Sequence, residues 1–434
     1  MKKIIFILSL VLILALSTVV AFAQNEIIIA VDSNKVEFND DIGYPFVDGN
    51  NRTQVPFRAT LEKYGATVSW DNEGRIASAA KDGITVQIPI GEKYILKNDE
   101  KIETDTVALI SENRTYLPIR AVIEAFGSDV QWDSALQTVV ITTEAIDAEK
   151  ILMDAYTKSN AWENYDAKVA MDMDISFADE TETPMTANAK MNMVMNAFNN
   201  PTKIKVKSDM ILDFQGQELS QPLLEMYVTF DESKFTTYMG MHDESGALTW
   251  SKSIIEDDTL IDLANYDAQA NLELTKKFTK DVKYFGKYAD DSGRTLLRIQ
   301  NTLSGEIYKE LLGTYIKQLA SSTNTEDILA AEMLENLGDF QFILFIDEQS
   351  GEIVKYEMDL GSIYTKMFAD IKPSEEMPQE AIDMLKTLKA VMVMEIYNIN
   401  KAEDFDIPQE ALDAPEVIGG AEKSLNEAVE KPAE

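Results

Sequence analysis

Asn51-Arg52-Thr53-Gln54-Val55-Pro56-Phe57-Arg58-Ala59 returns further along the chain as Asn113-Arg114-Thr115-Tyr116-Leu117-Pro118-Ile119-Arg120-Ala121. The register then holds: Glu62 corresponds to Glu124, Gly65 to Gly127, Val68 to Val130, and Trp70-Asp71 to Trp132-Asp133. A single offset kept over about twenty positions is the signature of a duplicated structural unit. The same short motif, met twice, sets the reading of the first third of the chain.

Each copy reads as strand, helix, strand. The residues before the proline alternate as a short strand does, and Pro56 or Pro118 then opens a helix, where its missing N–H costs nothing. Ala59, Leu61 and Tyr64 form one apolar stripe, as do Ala121, Ile123 and Phe126. Gly65 and Gly127 stand where a left-handed residue would stop the helix. A strand follows with Val68 and Trp70, or Val130 and Trp132, on one face. Further strands are expected over 84–90 in the first copy and 138–142 in the second. Arg58 and Glu62 stand four apart, as do Arg120 and Glu124, in the weaker basic-before-acidic order for an exposed pair. A structural role is therefore expected: a partly buried guanidinium bridging the helix to the turn that carries Asp71 or Asp133, with ligand binding as the alternative. The tryptophans are assigned first to the core and second to ligand stacking.

Composition narrows the function. The chain has 39 basic and 75 acidic residues, a formal charge of −36. So acidic a surface repels phosphate backbones and anionic headgroups, and no nucleic-acid partner is expected. There is no cysteine, which removes disulfides, thiolate metal sites, cysteine nucleophiles and a lipid-modified cysteine. Lys2 and Lys3, the apolar run Ile4 to Val20, and Ala21-Phe22-Ala23 read as a signal peptide over 1–23, cut after Ala23. No other stretch is apolar enough to span a bilayer, so the expected product is secreted or cell-wall associated, without an integral membrane segment.

The paired copies resemble the copper amine oxidase-like N-terminal domain, or stalk domain, of exported Gram-positive proteins, over about residues 28–144. The first copy carries an extra stretch around Ile42-Gly43-Tyr44-Pro45, read as a longer loop. The resemblance implies an appendage, remote from copper and substrate in the oxidases themselves. An oxidase needs three histidine ligands and a tyrosine, set in Asn-Tyr-Asp/Glu, that becomes the quinone cofactor. Asn164-Tyr165-Asp166 and Asn265-Tyr266-Asp267 fit the tripeptide, but the chain has one histidine, His242, and such copper sites rest on imidazole nitrogen. Both tripeptides are coincidences. No enzyme, cofactor or metal site is expected, and His242, next to Asp243 and Glu244, reads as a surface histidine.

From Asp147 the pattern changes. A helix to about Asn160 buries Ile151, Leu152, Ala155 and Tyr156. Period-two strands follow: Ala167 to Phe177, Ala189 to Met195, Ile204 to Phe214, then 223–230, 234–241, 247–252, 281–288 and 294–301. Helices are expected along Ile307 to Leu319 and over 326–337, then a hairpin with strands at Phe340 to Ile346 and Val354 to Met358. A helix over 375–389 and a strand from Val391 to Asn398 close the series, and the tail 415–434 lacks periodicity and reads as disordered. Over about 147–414 this succession, with the hairpin F-I-D-E-Q-S-G-E-I-V-K-Y, resembles the LolA/LppX-like half-barrel lipoproteins. The fold class is then α+β: a small duplicated domain, followed by a large curved antiparallel sheet with helices on its concave side. The resemblance implies an apolar, often lipid, ligand, although that family is commonly lipidated at a cysteine and this chain has none. Met171, Met173, Met191, Met193 and Met195 are candidates to line such a site, because thioethers adapt to variable apolar guests; ordinary core filling is the plainer reading. No nucleophile elbow or phosphate-cradling glycine loop is present. The expected function is a non-enzymatic envelope protein that binds an apolar or lipid-like ligand, with the stalk domain as spacer or wall contact; a purely structural or protein-interaction module is the alternative.

Overall fold

The computed structural model describes residues 27–178, 184–199, 201–214, 217–231, 234–242, 246–255, 268–321, 325–373 and 377–416. The expected signal peptide and nearly all of the expected disordered tail lie outside these residues. The chain divides into two compact units. Of the described residues, one takes 27–149 together with Lys283–Ile299; the other takes Lys150–Val282 and those from Gln300 onward.

In the first unit the chain order is β1 (Ile28–Val31), β2 (Asn34–Lys35), β3 (Phe46–Val47), β4 (Thr53–Pro56), α1 (Phe57–Lys63), β5 (Thr67–Asp71), β6 (Ile76–Lys81), β7 (Ile84–Pro89), β8 (Tyr94–Lys97), β9 (Glu100–Glu103), β10 (Leu109–Ser111), β11 (Arg114–Pro118), α2 (Ile119–Phe126), β12 (Asp129–Asp133) and β13 (Thr138–Thr142). Strand β4 pairs antiparallel with β11, matching Gln54 to Pro118, Val55 to Leu117 and Pro56 to Tyr116. This register is symmetric about corresponding residues, since Val55 and Leu117 occupy the same place in the two motifs. The helices obey the same relation: the rings of Tyr64 and Phe126, again corresponding residues, lie 5.5 Å apart. Val55, Leu61, Leu117 and Ile123 are all fully buried. The core of this unit thus forms where one motif meets the other.

Both prolines end a strand and precede the helix, at the N-cap, with extended ψ of 119° and 102°. They sit one position earlier than expected, because each still contributes its carbonyl side to the β4–β11 ladder. The helix ends match closely. Gly65 and Gly127 both have φ of +88°. The Gly65 and Ala66 amides donate to Glu62 and Leu61, and the Gly127 and Ser128 amides donate to Glu124 and Ile123. The turn needs a left-handed residue, and glycine enters that region without a Cβ penalty. After the helices the motifs diverge: β5 to β9 form a five-stranded meander, whereas β12 and β13 are joined by β1, which runs parallel to β13.

The second unit holds α3 (Ala148–Ser159), β14 (Asn164–Ala178), β15 (Pro184–Asn199), β16 (Thr202–Phe214), β17 (Gln217–Asp231), β18 (Lys234–His242), β19 (Leu248–Ile255), α4 (Ala268–Phe278), β20 (Thr279–Ala289), β21 (Thr295–Leu303), α5 (Glu306–Ala320), α6 (Thr325–Glu335), β22 (Phe340–Asp347), β23 (Ile353–Asp359), α7 (Leu360–Met367), α8 (Gln379–Thr387), β24 (Lys389–Tyr397) and α9 (Gln409–Leu412). The strands make one sheet in the order β19-β18-β17-β16-β15-β14-β24-β23-β22-β21-β20, and the sheet curls as a half-barrel. Two meanders therefore run outward from a central antiparallel pair, β14 with β24. Where one helix was expected between the hairpin and the last strand, there are two. Asp359 caps α7 by accepting from the Ser362 amide at 3.2 Å. Gly361 permits the close return of the chain, since a Cβ there would meet the Leu388 carbonyl oxygen at 2.6 Å. Helix α4 was not expected at all.

One buried ion pair fastens residues 283–299 into the first unit. Arg298 meets Asp133, and their side chains are 3% and 2% exposed. The same carboxylate accepts from the amides of Ala135 and Leu136 at 3.1 and 3.2 Å. Removing one member of such a pair strands a charge in the interior, a loss of about 3–5 kcal/mol. Arg298→Ala is expected to lower stability by that amount in chemical denaturation, whereas Arg294→Ala, on an exposed pair with Asp290, shifts it by less than about 1 kcal/mol.

Candidate functional site

The registers bring five methionines into one row across five strands. Met358 faces Met392, Met392 faces Met171, Met171 faces Met191, and Met191 faces Met210. Side chains opposite one another in an antiparallel pair share a face, so the row crosses β23, β24, β14, β15 and β16 on one side of the sheet. Val169, Met173, Ala189, Met193 and Val206 extend it. The opposite face carries Lys168, Asp172, Asn188, Lys190 and Asn192, all in water except at their edges. Period-two alternation thus sends every candidate methionine to the same side.

That side is covered. Leu360, Tyr364, Met367 and Phe368 from α7, Ala381, Ile382 and Leu385 from α8, and Met333 from α6 pack on it. Met171, Met173, Met191 and Met193 are consequently buried, and Met195 is partly buried against the same cluster. In this structure they line no open surface. Two hydroxyls are caught in the apolar layer: Tyr364 and Ser208, each 3% exposed, find no hydrogen-bond partner for their side-chain oxygens among the described residues. Burial pushes the Tyr364 phenol up to about 12. Toward the other end of the face, Tyr156 and Tyr356 are raised by burial, and Asn301 donates to the Tyr156 hydroxyl at 3.3 Å.

In the first unit the motif residues separate into buried and exposed sets. Arg58 and Arg120 are not buried and do not reach Asp71 or Asp133. Arg58 bonds Glu62 at 3.2 Å; Arg120 bonds the Val130 carbonyl at 2.6 Å and Glu124 at 3.5 Å. The short turn after the strand explains the difference, because Asp71 and Asp133 are occupied with the amides of their own turns. Trp70, expected in the core, is 36% exposed, while Trp132 is partly buried against it. A groove of about 810 Å³ runs beside the second motif, between Arg120, Glu124 and Trp132 on one side and Val47, Arg52 and Asp105 on the other. The turn that carries Val47 and Arg52 is held by Asp48, which sequence reading did not single out. Burial raises the Asp48 carboxyl, but hydrogen bonds from Thr106, Gln54 and the Arg52 and Asn50 amides outweigh it and hold the group at about 2. Those bonds measure 2.5, 2.8, 3.0 and 2.8 Å. An Asp two residues before an Asn in a polar turn was the available signal.

The residues that imitate an oxidase lie apart. Tyr165 sits in β14, its ring 5.4 Å from Trp162, and Asp166 accepts from Asn196 and Asn398. Tyr266 falls outside the described residues. His242 ends β18 with Nδ1 3.2 Å from the Gly246 carbonyl oxygen. Among the described residues no three His, Asp or Glu side chains converge to hold a metal, and no helix is long and apolar enough to cross a membrane.

Residues 30–141 match the family model described as copper amine oxidase N-terminal domain. A stretch of 83 residues is 25% identical to the primary amine oxidase of Klebsiella aerogenes, covering 19% of this chain and 11% of that protein. The chain therefore spans about a tenth of the length of that relative. Among solved structures, a DUF1329 family protein from Desulfovibrio piger is similar at 8% identity and TM-score 0.20, over 60% of this chain and 96% of that one. A LolA superfamily protein from Nitrosomonas europaea is similar at 8% identity and TM-score 0.15, over 61% and 97%. Superpositions this loose carry no argument by themselves.

Two outcomes test the local chemistry. Asp48 has a folded value below the ordinary 3.8, so its contribution is present above pH about 4 and is lost as pH falls through about 2. Asp48→Ala is expected to cost roughly 1–2 kcal/mol at neutral pH and to flatten that part of the acid-unfolding curve. Tyr364→Phe removes an unpartnered hydroxyl at nearly constant shape, and thermal unfolding is expected to show stability unchanged or raised by about 1 kcal/mol.

Proposed function

Starting from residues 30–141 as a copper amine oxidase N-terminal domain, we propose that the chain is an exported, non-enzymatic envelope protein. Its N-terminal unit is a strand–helix–strand motif present in two copies, and it serves as spacer or wall contact. The eleven-stranded sheet of the second unit takes an apolar or lipid-like ligand between its methionine-bearing face and the helices over it. The observation that carries this reading is the row Met358–Met392–Met171–Met191 beneath α7 and α8, continued across the sheet by Met210 on β16. A core that needs only to be filled is specified best by branched side chains with few rotamers; unbranched thioethers leave an interface that repacks around a guest. The unpartnered Tyr364 and Ser208 hydroxyls fit a guest that brings a hydrogen-bonding group among apolar chains. A half-barrel sheet covered by helices on one face is also the arrangement that the LolA-type resemblance implies.

The competing reading is an interaction module with no small ligand. It is favoured by the burial of Met171 to 1% and Ile382 to 0% under the chain's own helices. Organic extraction of the natively purified protein, read by mass spectrometry, separates the two. A ligand-binding protein yields an apolar compound approaching one equivalent, and the stripped protein takes up oleate or phospholipid from vesicles. An empty extract together with no uptake would establish the interaction module instead.

A further inference from the structure

Both motifs of the first unit keep the same arginine, glutamate and tryptophan. Shared apolar character at Val55 and Leu117, or at Leu61 and Ile123, follows from complete burial. Arg58 and Arg120, in contrast, expose 62% and 54% of their side chains, and Glu62 and Glu124 each expose 53%. Trp70 is exposed as well. Exposed positions tolerate substitution with effects usually within about 0.5 kcal/mol, so an Arg–Glu pair repeated at the surface points to recognition. Arg120 clips the Val130 carbonyl, yet Arg58 bonds Glu62 alone, so the clip does not account for both copies.

Beside the second pair lies the groove of about 810 Å³. The charges along it are paired: Arg52 with Asp105 at 2.6 Å, Arg120 with Glu124 at 3.5 Å, and Glu103 with Lys101, just outside the groove, at 2.6 Å. A phosphate or carboxylate site would hold an unmatched guanidinium, and a cation site would hold unmatched carboxylates. Matched pairs instead offer planar donors and acceptors side by side with no net field. The indole of Trp132 adds a flat apolar plate. A pyranose ring has the complementary surface, since each hydroxyl both donates and accepts while the C–H face is apolar.

The geometry points to this groove as a binding site for an uncharged oligosaccharide, with Trp132 as the platform and the Arg52–Asp105 and Arg120–Glu124 pairs reading the hydroxyls. It rests on the reading of this unit as a wall-contact module and names what that contact recognises. Hydroxyl recognition through ion-paired side chains does not depend on long-range attraction, so affinity should hold as salt is raised.

The test is calorimetric titration of the full protein with chitotetraose, beside Asp105→Asn, Glu124→Gln and Trp132→Phe. The first two replace exposed groups isosterically and the third keeps an aromatic ring, and thermal unfolding verifies that each is folded. Wild type is expected to bind, each variant about tenfold more weakly, with the wild-type affinity unchanged in high salt. No binding at millimolar sugar, equal affinity in all three variants, or tighter binding of the anionic tetragalacturonate would overturn the assignment. Sedimentation with purified cell-wall material separates it from the reading beneath it. Variants that sediment like wild type without binding chitotetraose leave wall contact standing and overturn the groove. A wild type that binds chitotetraose, with the variants weakened, but does not sediment overturns wall contact and keeps the groove.

Discussion

A sheet with one apolar face has to have that face covered, and the cover determines what the protein can do. Alternation along β14, β15, β16 and β24 sends Val169, Met171, Met173, Met191, Met193, Ala390 and Met392 to one side. Each such side chain left in water would forgo about 1.5–3 kcal/mol. Helices α6, α7 and α8 supply the cover, and their own stripes are apolar because of it: Leu360, Tyr364 and Met367 on α7, Ile382 and Leu385 on α8. Sheet and helices are each unstable without the other. The interface between them mixes methionines with branched aliphatic side chains such as Val169, Leu360, Ile382 and Leu385 and the rings of Tyr364 and Phe368. Unbranched thioethers are the members of this layer that repack most readily.

The first unit solves a smaller problem in another way. The two sequence motifs around Pro56 and Pro118 contribute side chains to one shared core. Val55 against Leu117 and Tyr64 against Phe126 are contacts between corresponding residues, which makes the interface self-complementary in the manner of a symmetric dimer. Everything asymmetric lies around this centre: β1 joining β13 in parallel, the β5–β9 meander, and the β3–β4 turn clamped by Asp48. The groove is one of these asymmetric additions, and the second motif's exposed Arg120 and Glu124 and half-buried Trp132 border it.

Much of this was legible in the chain and some of it was not, for physical reasons. The long strands announce themselves through period two, and β14, β16 and β24 fall within a few residues of their expected limits. The helix-ending glycines were readable because a left-handed turn leaves little choice of residue. Strand β6, Ile-Ala-Ser-Ala-Ala-Lys, was not, since alanine and serine carry no strand preference and only the neighbours β5 and β7 hold it in place. Helix α7 was hidden by Gly361, which breaks a helical pattern locally but is required by the approach of Leu388. The parallel pairing of β1 with β13 joins residues more than a hundred positions apart, and no local pattern records it. The misjudged Arg58, Arg120 and Trp70 share one cause: a repeated residue was read as a buried one, whereas repetition tells only that a position is used. The methionine row, likewise, needed registers, because a sequence shows which residues share a face of one strand but not which face each other across five.

Methionine-methyl nuclear magnetic resonance during addition of oleate tests the central claim most directly. The account predicts that the methyl signals of Met171, Met191, Met210, Met358 and Met392 shift together and saturably, while a methionine outside the row, such as Met153 on α3, stays still. Oleate in excess with the row unmoved, or shifts confined to other methionines, would contradict it.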